Sequence, residues 1–145
     1  MSETFPALRA VALDATNARA VAEFYRGLLG FVYRAGDETP PPGQPDPHGE
    51  DWLVLRDRTG TARLAVQRVA ELPRSTWPDA QIPQQLHLDL TVPDVDELTV
   101  QHDRALSLGA TLLLDRSTDP DEPLYVFADP AGHPFCIFVS SDHPG

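Results

Sequence analysis

The chain repeats its own punctuation about halfway along its length. Asn17 and Asp94 each stand where a side-chain oxygen can cap a helix, and Gly30 and Gly109 each stand where a glycine ends one. Asp57-Arg58-Thr59-Gly60 and Asp129-Pro130-Ala131-Gly132 each place Asp first and Gly fourth, the pattern of a type I turn. Between these landmarks the order strand, helix, strand, strand, strand occurs twice. That is one internal duplication, not a solenoid. In a chain of 145 residues each half is too small to bury a sheet face alone. The expected fold is therefore α+β: two βαβββ modules forming a cupped, half-open mixed β-barrel with helices outside. One domain, 1–145, would hold modules at about 7–70 and 85–140 joined by a connector at 71–84.

The local patterns support each element. Leu8–Asp14 reads as a strand. Val21, Phe24, Tyr25, Leu28 and Leu29 fall on one stripe of 3.6-residue period, which predicts a helix ending at Gly30. Phe31–Arg34, Trp52–Arg56 and Arg63–Val69 read as the remaining strands of the first half. In the second half, Leu86–Val92 alternates. Leu86, Leu88, Leu90 and Val92 are expected toward a helix layer, and His87, Asp89 and Thr91 on the opposite face. A helix follows, with Val95, Leu98, Ala105 and Leu108 as its apolar side; then come strands at Thr111–Leu114, Leu124–Ala128 and Phe135–Val139. Gly36 to Glu50 holds five prolines and forms neither helix nor central strand. It reads either as a mobile loop or as a lid.

Charge narrows the partners. The 22 acidic residues against 11 basic ones give a net charge of −11, which argues against nucleic acid and anionic membrane surfaces. Every basic residue is Arg, so Schiff-base and P-loop lysines are excluded. The single Cys136 forms no internal disulfide, no apolar run reaches membrane-spanning length, and Met1–Thr4 has no signal-like character. The expected location is cytoplasmic.

Three segments, in order, carry a family resemblance. Ala22-Glu23-Phe24-Tyr25-Arg26-Gly27-Leu28-Leu29-Gly30-Phe31 is similar to an "FYxxxLGF" signature. Leu86-His87-Leu88-Asp89-Leu90 with Asp94 resembles the opening of a second module, and Asp129-Pro130-Ala131-Gly132-His133-Pro134-Phe135-Cys136 resembles a "DPxG" ending. Together they resemble the vicinal oxygen chelate superfamily of glyoxalases, bleomycin- and fosfomycin-resistance proteins and extradiol dioxygenases. Within it they look most like glyoxalase-like domain proteins of actinobacterial type. The resemblance implies a divalent metal held from the first, fourth, fifth and eighth strands. The matching positions here are Ala10, then Ala65 or Gln67, then His87, then Cys136. Only His87 matches the implied ligands, so no metal site and no cofactor are expected. An improvised site from His87, Cys136 and Gln67 is the alternative.

His87 and Asp89 share a strand face roughly 6.6 Å apart, as a base with its orienter or as a ligand-binding pair. The candidate ligand-binding residues are His87, Asp89, Gln67, Cys136, Phe138 and Trp52, with His87 the one catalytic candidate. Trp77 and Phe127 are further aromatic candidates, each equally readable as core, and His102 reads as a helix-edge residue without a matching partner. The first functional reading is a metal-free protein that binds a small organic molecule, uncharged or cationic, in a concave cleft. The second is a lyase or isomerase of glyoxalase type, metal-assisted or using His87 as base. The third is a non-catalytic structural or interaction module. Open sheet edges and the family analogy predict a homodimer.

Overall fold

A computed structural model describes residues 4–144. The chain divides into two compact units, residues 1–70 and 71–145. The connector expected at 71–84 belongs to the second unit, where Arg74 Nη1 donates to the Pro130 carbonyl at 2.8 Å.

The first unit contains β1 (Val11–Ala15), α1 (Ala18–Leu29), β2 (Val32–Tyr33), β3 (Trp52–Arg56) and β4 (Ala62–Arg68). Its sheet order is β1-β4-β3-β2, with β1 parallel to β4 and the other pairs antiparallel. α1 starts where Asn17 accepts the Ala20 N–H at 3.1 Å. It stops at Gly30, whose φ of 69° a side chain would disfavour. Val21, Phe24, Tyr25 and Leu28 of the predicted stripe are buried, and Leu29 is half-buried. A fully buried Val, Leu or Phe of this stripe contributes about 1.5–3 kcal/mol by leaving water. α1 packs on β3 and β4, and Leu13, Leu53, Leu55, Leu64 and Val66 share one buried sheet face by register. Ala12, Ala65, Val54, Trp52 and Gln67 lie on the other face.

The second unit repeats this plan with β5 (Leu88–Val92), α2 (Val95–Ser107), β6 (Thr111–Arg116), β7 (Leu124–Ala128) and β8 (Pro134–Val139). Its order is β5-β8-β7-β6, with β5 parallel to β8. Asp94 caps α2 by accepting the Glu97 N–H at 2.8 Å. Both expected turns form: Gly60 N–H bonds the Asp57 carbonyl and Gly132 N–H the Asp129 carbonyl. The duplication is thus real at the level of topology. The strands form two separate four-stranded mixed sheets and do not close into a barrel.

Several expectations need correction. The first strand begins at Val11, not Leu8, because the register would pair Leu8 with Thr61, whose carbonyl is taken by Asp57 in the turn. β5 begins at Leu88, so Leu86 and His87 precede the strand. Continuing its register would pair His87 with Pro134, which has no N–H, and Leu86 with His133, whose backbone is engaged with Asp129. Leu86 is therefore 52% exposed, not in a helix layer. α2 buries only Leu98 and Ala105, while Val95 is 51% exposed and Leu108 lies at the surface. His102 does have partners: its ring lies 4.5 Å from Tyr125 and 5.9 Å from Phe127. The strand expected at Phe31–Arg34 shrinks to two residues, and β6 extends to Arg116.

Candidate functional site

The second unit brings three of the predicted site residues together. Asp89 on β5 is the register partner of Cys136 on β8. The Cys136 thiol donates to Asp89 Oδ1 at 3.0 Å, and His87 Nε2 lies 3.1 Å from the same oxygen. One carboxylate oxygen thus faces a thiol and an imidazole, and their donor atoms all lie within 4.8 Å of one another. The side chains of His87 and Asp89 are 43% and 59% exposed, so a ligand can reach both. Burial, then the bond to Asp89, pushes the Cys136 thiol up to about 12. At neutral pH it is a protonated hydrogen-bond donor, not a nucleophile. Phe138 lies two residues along β8 on the same face, paired with Thr91, and is half-buried. Phe127 is not a pocket residue: it is fully buried and stacked 5.3 Å from Phe135. Trp77 sits in the connector before Pro78.

The other two candidates, Trp52 and Gln67, are cross-strand partners in the first unit. Gln67 is exposed, and Trp52 packs its half-buried ring against the cluster of Val54, Ala62 and Ala65. Trp52 lines a hollow of about 160 Å³ whose floor is Ala12, Val54 and Ala65 and whose rim carries Arg9, Ala10 and Arg34. Sequence reasoning missed both arginines, because neither falls on a recognisable motif.

The proline-rich segment is anchored to this unit. Arg19 on α1 clasps Asp46 through two bonds of 2.7 and 2.8 Å and donates to the Asp37 carbonyl at 2.6 Å. The buried Asp37 carboxylate accepts the Val54 N–H at 2.9 Å and pairs with Arg34 and His48, each at 3.1 Å. The loop is irregular in backbone, as expected, and pinned by two carboxylates that carried no signal in the sequence.

The residues do not fit the four-ligand metal set that the family resemblance implies. Ala10 and Ala65 offer no donor atom and open a hollow instead. His87 and Cys136 do offer donors, joined by Asp89 rather than by Gln67. A thiol that keeps its proton to high pH opposes thiolate coordination until a cation displaces that proton.

Two βαβββ units in this order define a glyoxalase-type fold of the vicinal oxygen chelate class. Residues 10–138 match the family model of the glyoxalase-like domain, and the chain belongs to that family. No curated protein sequence matches it. Among solved structures it is similar to a glyoxalase/bleomycin resistance protein/dioxygenase family enzyme from Burkholderia phytofirmans PsJN, with 16% identity, TM-score 0.64, and coverage of 90% of this chain and 96% of that one. A glyoxalase-related enzyme from Fulvimarina pelagi is 17% identical with TM-score 0.64, covering 97% and 92%. A mutant fosfomycin resistance protein from Listeria monocytogenes, complexed with Mn(II) and a dihydroxypropylphosphonic acid, is 14% identical with TM-score 0.66, covering 94% of each chain. At these identities the likeness concerns the fold. Among the described residues, no helix is long and apolar enough to cross a membrane.

Proposed function

We propose that this glyoxalase-like protein binds a small organic molecule without the usual divalent metal, on the sheet face that carries Asp89, Cys136 and Phe138, with His87 at its edge. The observation that carries the reading is the convergence of His87 and Cys136 on one exposed carboxylate oxygen, Asp89 Oδ1. A few directed polar groups beside an aromatic ring is the usual make-up of a small-molecule site. The exposed carboxylate selects uncharged or cationic ligands there, since an anion would meet Asp89. A thermal-shift screen of neutral, cationic and anionic metabolites tests this. Neutral or cationic hits that weaken in His87→Ala and Asp89→Ala are expected. Hits indifferent to both substitutions would overturn it.

A second reading, a lyase or isomerase of glyoxalase type, is favoured by the same three donors, which suit Zn²⁺ in chemical type. Elemental analysis of protein purified without chelator separates the two. The metal-free reading expects no stoichiometric ion; near-stoichiometric Zn, Ni, Mn or Fe that is lost in His87→Ala would establish the second. The homodimer and the cytoplasmic location belong to the proposal as well. Light scattering at micromolar concentration is expected to give twice the 15.9 kDa chain mass, and the chain mass itself would contradict the dimer.

A further inference from the structure

A groove of about 380 Å³ opens beside α1 in the first unit. Its lining comes from α1, β2 and the start of the proline-rich segment. Among the described residues it takes nothing from β1, β4, β5 or β8, the strands from which the family resemblance draws its metal ligands. The volume falls within the roughly 300–1,000 Å³ of small-molecule pockets.

The local sequence builds a fixed polar floor. Glu23 and Arg26 stand three residues apart on one face of α1 and are joined by bonds of 2.7 and 3.2 Å. The Tyr33 hydroxyl donates to the same carboxylate at 2.7 Å. The bond from Arg26 holds the Glu23 carboxyl below its ordinary range, so at neutral pH these two charges cancel. Arg19 lies over the Tyr33 ring at 5.0 Å and is itself paired with Asp46 at 2.7 Å, which fixes the ring from behind.

Glu38 and Thr39 form the wall. They follow Asp37, whose buried carboxylate is tied to the Val54 N–H, so this end of the loop is anchored. Glu38 is exposed, and its two oxygens accept the Gly36 N–H at 3.1 and 2.8 Å. A carboxylate offers about four acceptor sites, so one N–H leaves most of that capacity unused. Glu38 pairs with no cation among the described residues, and with Glu23 and Arg26 cancelling, its negative charge is the uncompensated one of the lining. Val32, which is 55% exposed, and the half-buried Tyr33 supply the apolar surface.

We infer that this groove is a binding site for a small organic cation, its ammonium on Glu38 and its apolar body over Val32 and Tyr33. An ammonium suits the site because its N–H groups make charge-assisted bonds to a carboxylate that has acceptor capacity to spare. The proline-rich segment thus serves as a fixed wall, not a moving lid. The inference does not rest on the Asp89 reading, with which it shares no residue.

Calorimetric titration of Asp89→Ala protein, in which the carboxylate of the other proposed site is gone, tests it with three probes of nearly equal shape: benzylamine, benzyl alcohol and benzoate. Saturable benzylamine binding is expected, at least tenfold tighter than that of the neutral or anionic probe and weakened by added salt. Adding Glu38→Gln, which keeps an acceptor for the Gly36 N–H and removes the charge, is expected to weaken benzylamine at least tenfold. Val32→Thr, which keeps the side-chain shape, is expected to weaken it severalfold. Glu71→Gln removes one charge from an exposed residue outside the groove and is expected to leave affinity unchanged. Circular dichroism verifies that the variants fold. Absence of saturable benzylamine binding, equal affinity for benzyl alcohol, affinity unchanged in Glu38→Gln or Val32→Thr, or an equal loss in Glu71→Gln would each overturn the inference. Such a failure leaves the Asp89 reading standing, because every titration is made without the Asp89 carboxylate.

Discussion

The two units share a topology and differ in almost everything that topology does not demand. α1 buries six residues, and α2 buries two. The first sheet shows alanines, a tryptophan and a cationic rim on the face away from the leucines, whereas the second shows His87, Asp89 and Cys136. Among the described residues, each unit also buries one carboxylate. Asp37 ties a long loop to β3 in the first, and Asp129 closes a short turn in the second by accepting the Ala131 and His133 N–H groups. A duplicated frame therefore constrains caps, turns and buried faces, and leaves the remaining sheet faces free to take unrelated chemistry.

The largest effects are expected in the two cores. Phe24 and Phe135 are both buried, and truncating either to Ala is expected to cost about 3–5 kcal/mol, read as a lowered urea midpoint. A loss below 1 kcal/mol in one unit would mean that its core does not support it as the other does. Next come the buried carboxylates. Asp37→Ala strands the Val54 N–H and Asp129→Ala strands two turn N–H groups, each for about 1–3 kcal/mol. The caps sharpen the comparison further: Asn17→Ala and Asp94→Ala are each expected to cost about 1 kcal/mol, and a negligible loss at one would show that the landmarks are not equivalent.

The smallest effect concerns Cys136. Its thiol is raised from an ordinary 9.0 to about 12, so the folded chain keeps a proton that the unfolded chain loses. The stability from this group is complete below pH about 9 and drains away as pH rises through about 12. Alkylation by iodoacetamide at pH 8 is expected to be slow. Asp89→Asn removes a charge that holds the proton, so alkylation speeds up, though less than on unfolding in urea, because burial is the larger cause. Slower or unchanged alkylation in Asp89→Asn would show that Asp89 does not hold that proton.

Much of the frame was legible because it rests on local chemistry. Asn17, Gly30, Asp94 and both Asp-to-Gly turns act within a few residues of themselves, so their types and spacing announce them. Strand ends were less legible because they depend on partners: the register would set His87 opposite Pro134, which has no N–H to offer the ladder. Asp89 meeting Cys136 followed from strand alternation once the pairing of β5 with β8 was known, and no local pattern states that pairing. Asp37 and Asp46 were silent for the same reason: Asp37 meets the Val54 N–H 17 positions away and Asp46 meets Arg19 27 positions away.

On the proposed reading, the Asp89 face binds a small neutral or cationic molecule without a metal. Its most direct test is calorimetric titration of the tightest such screening hit into metal-free wild-type protein and into Asp89→Ala. Saturable binding to the wild type and a loss of at least tenfold in Asp89→Ala are expected. Equal affinity in the two proteins, or binding that appears only after a divalent metal is added, would contradict it.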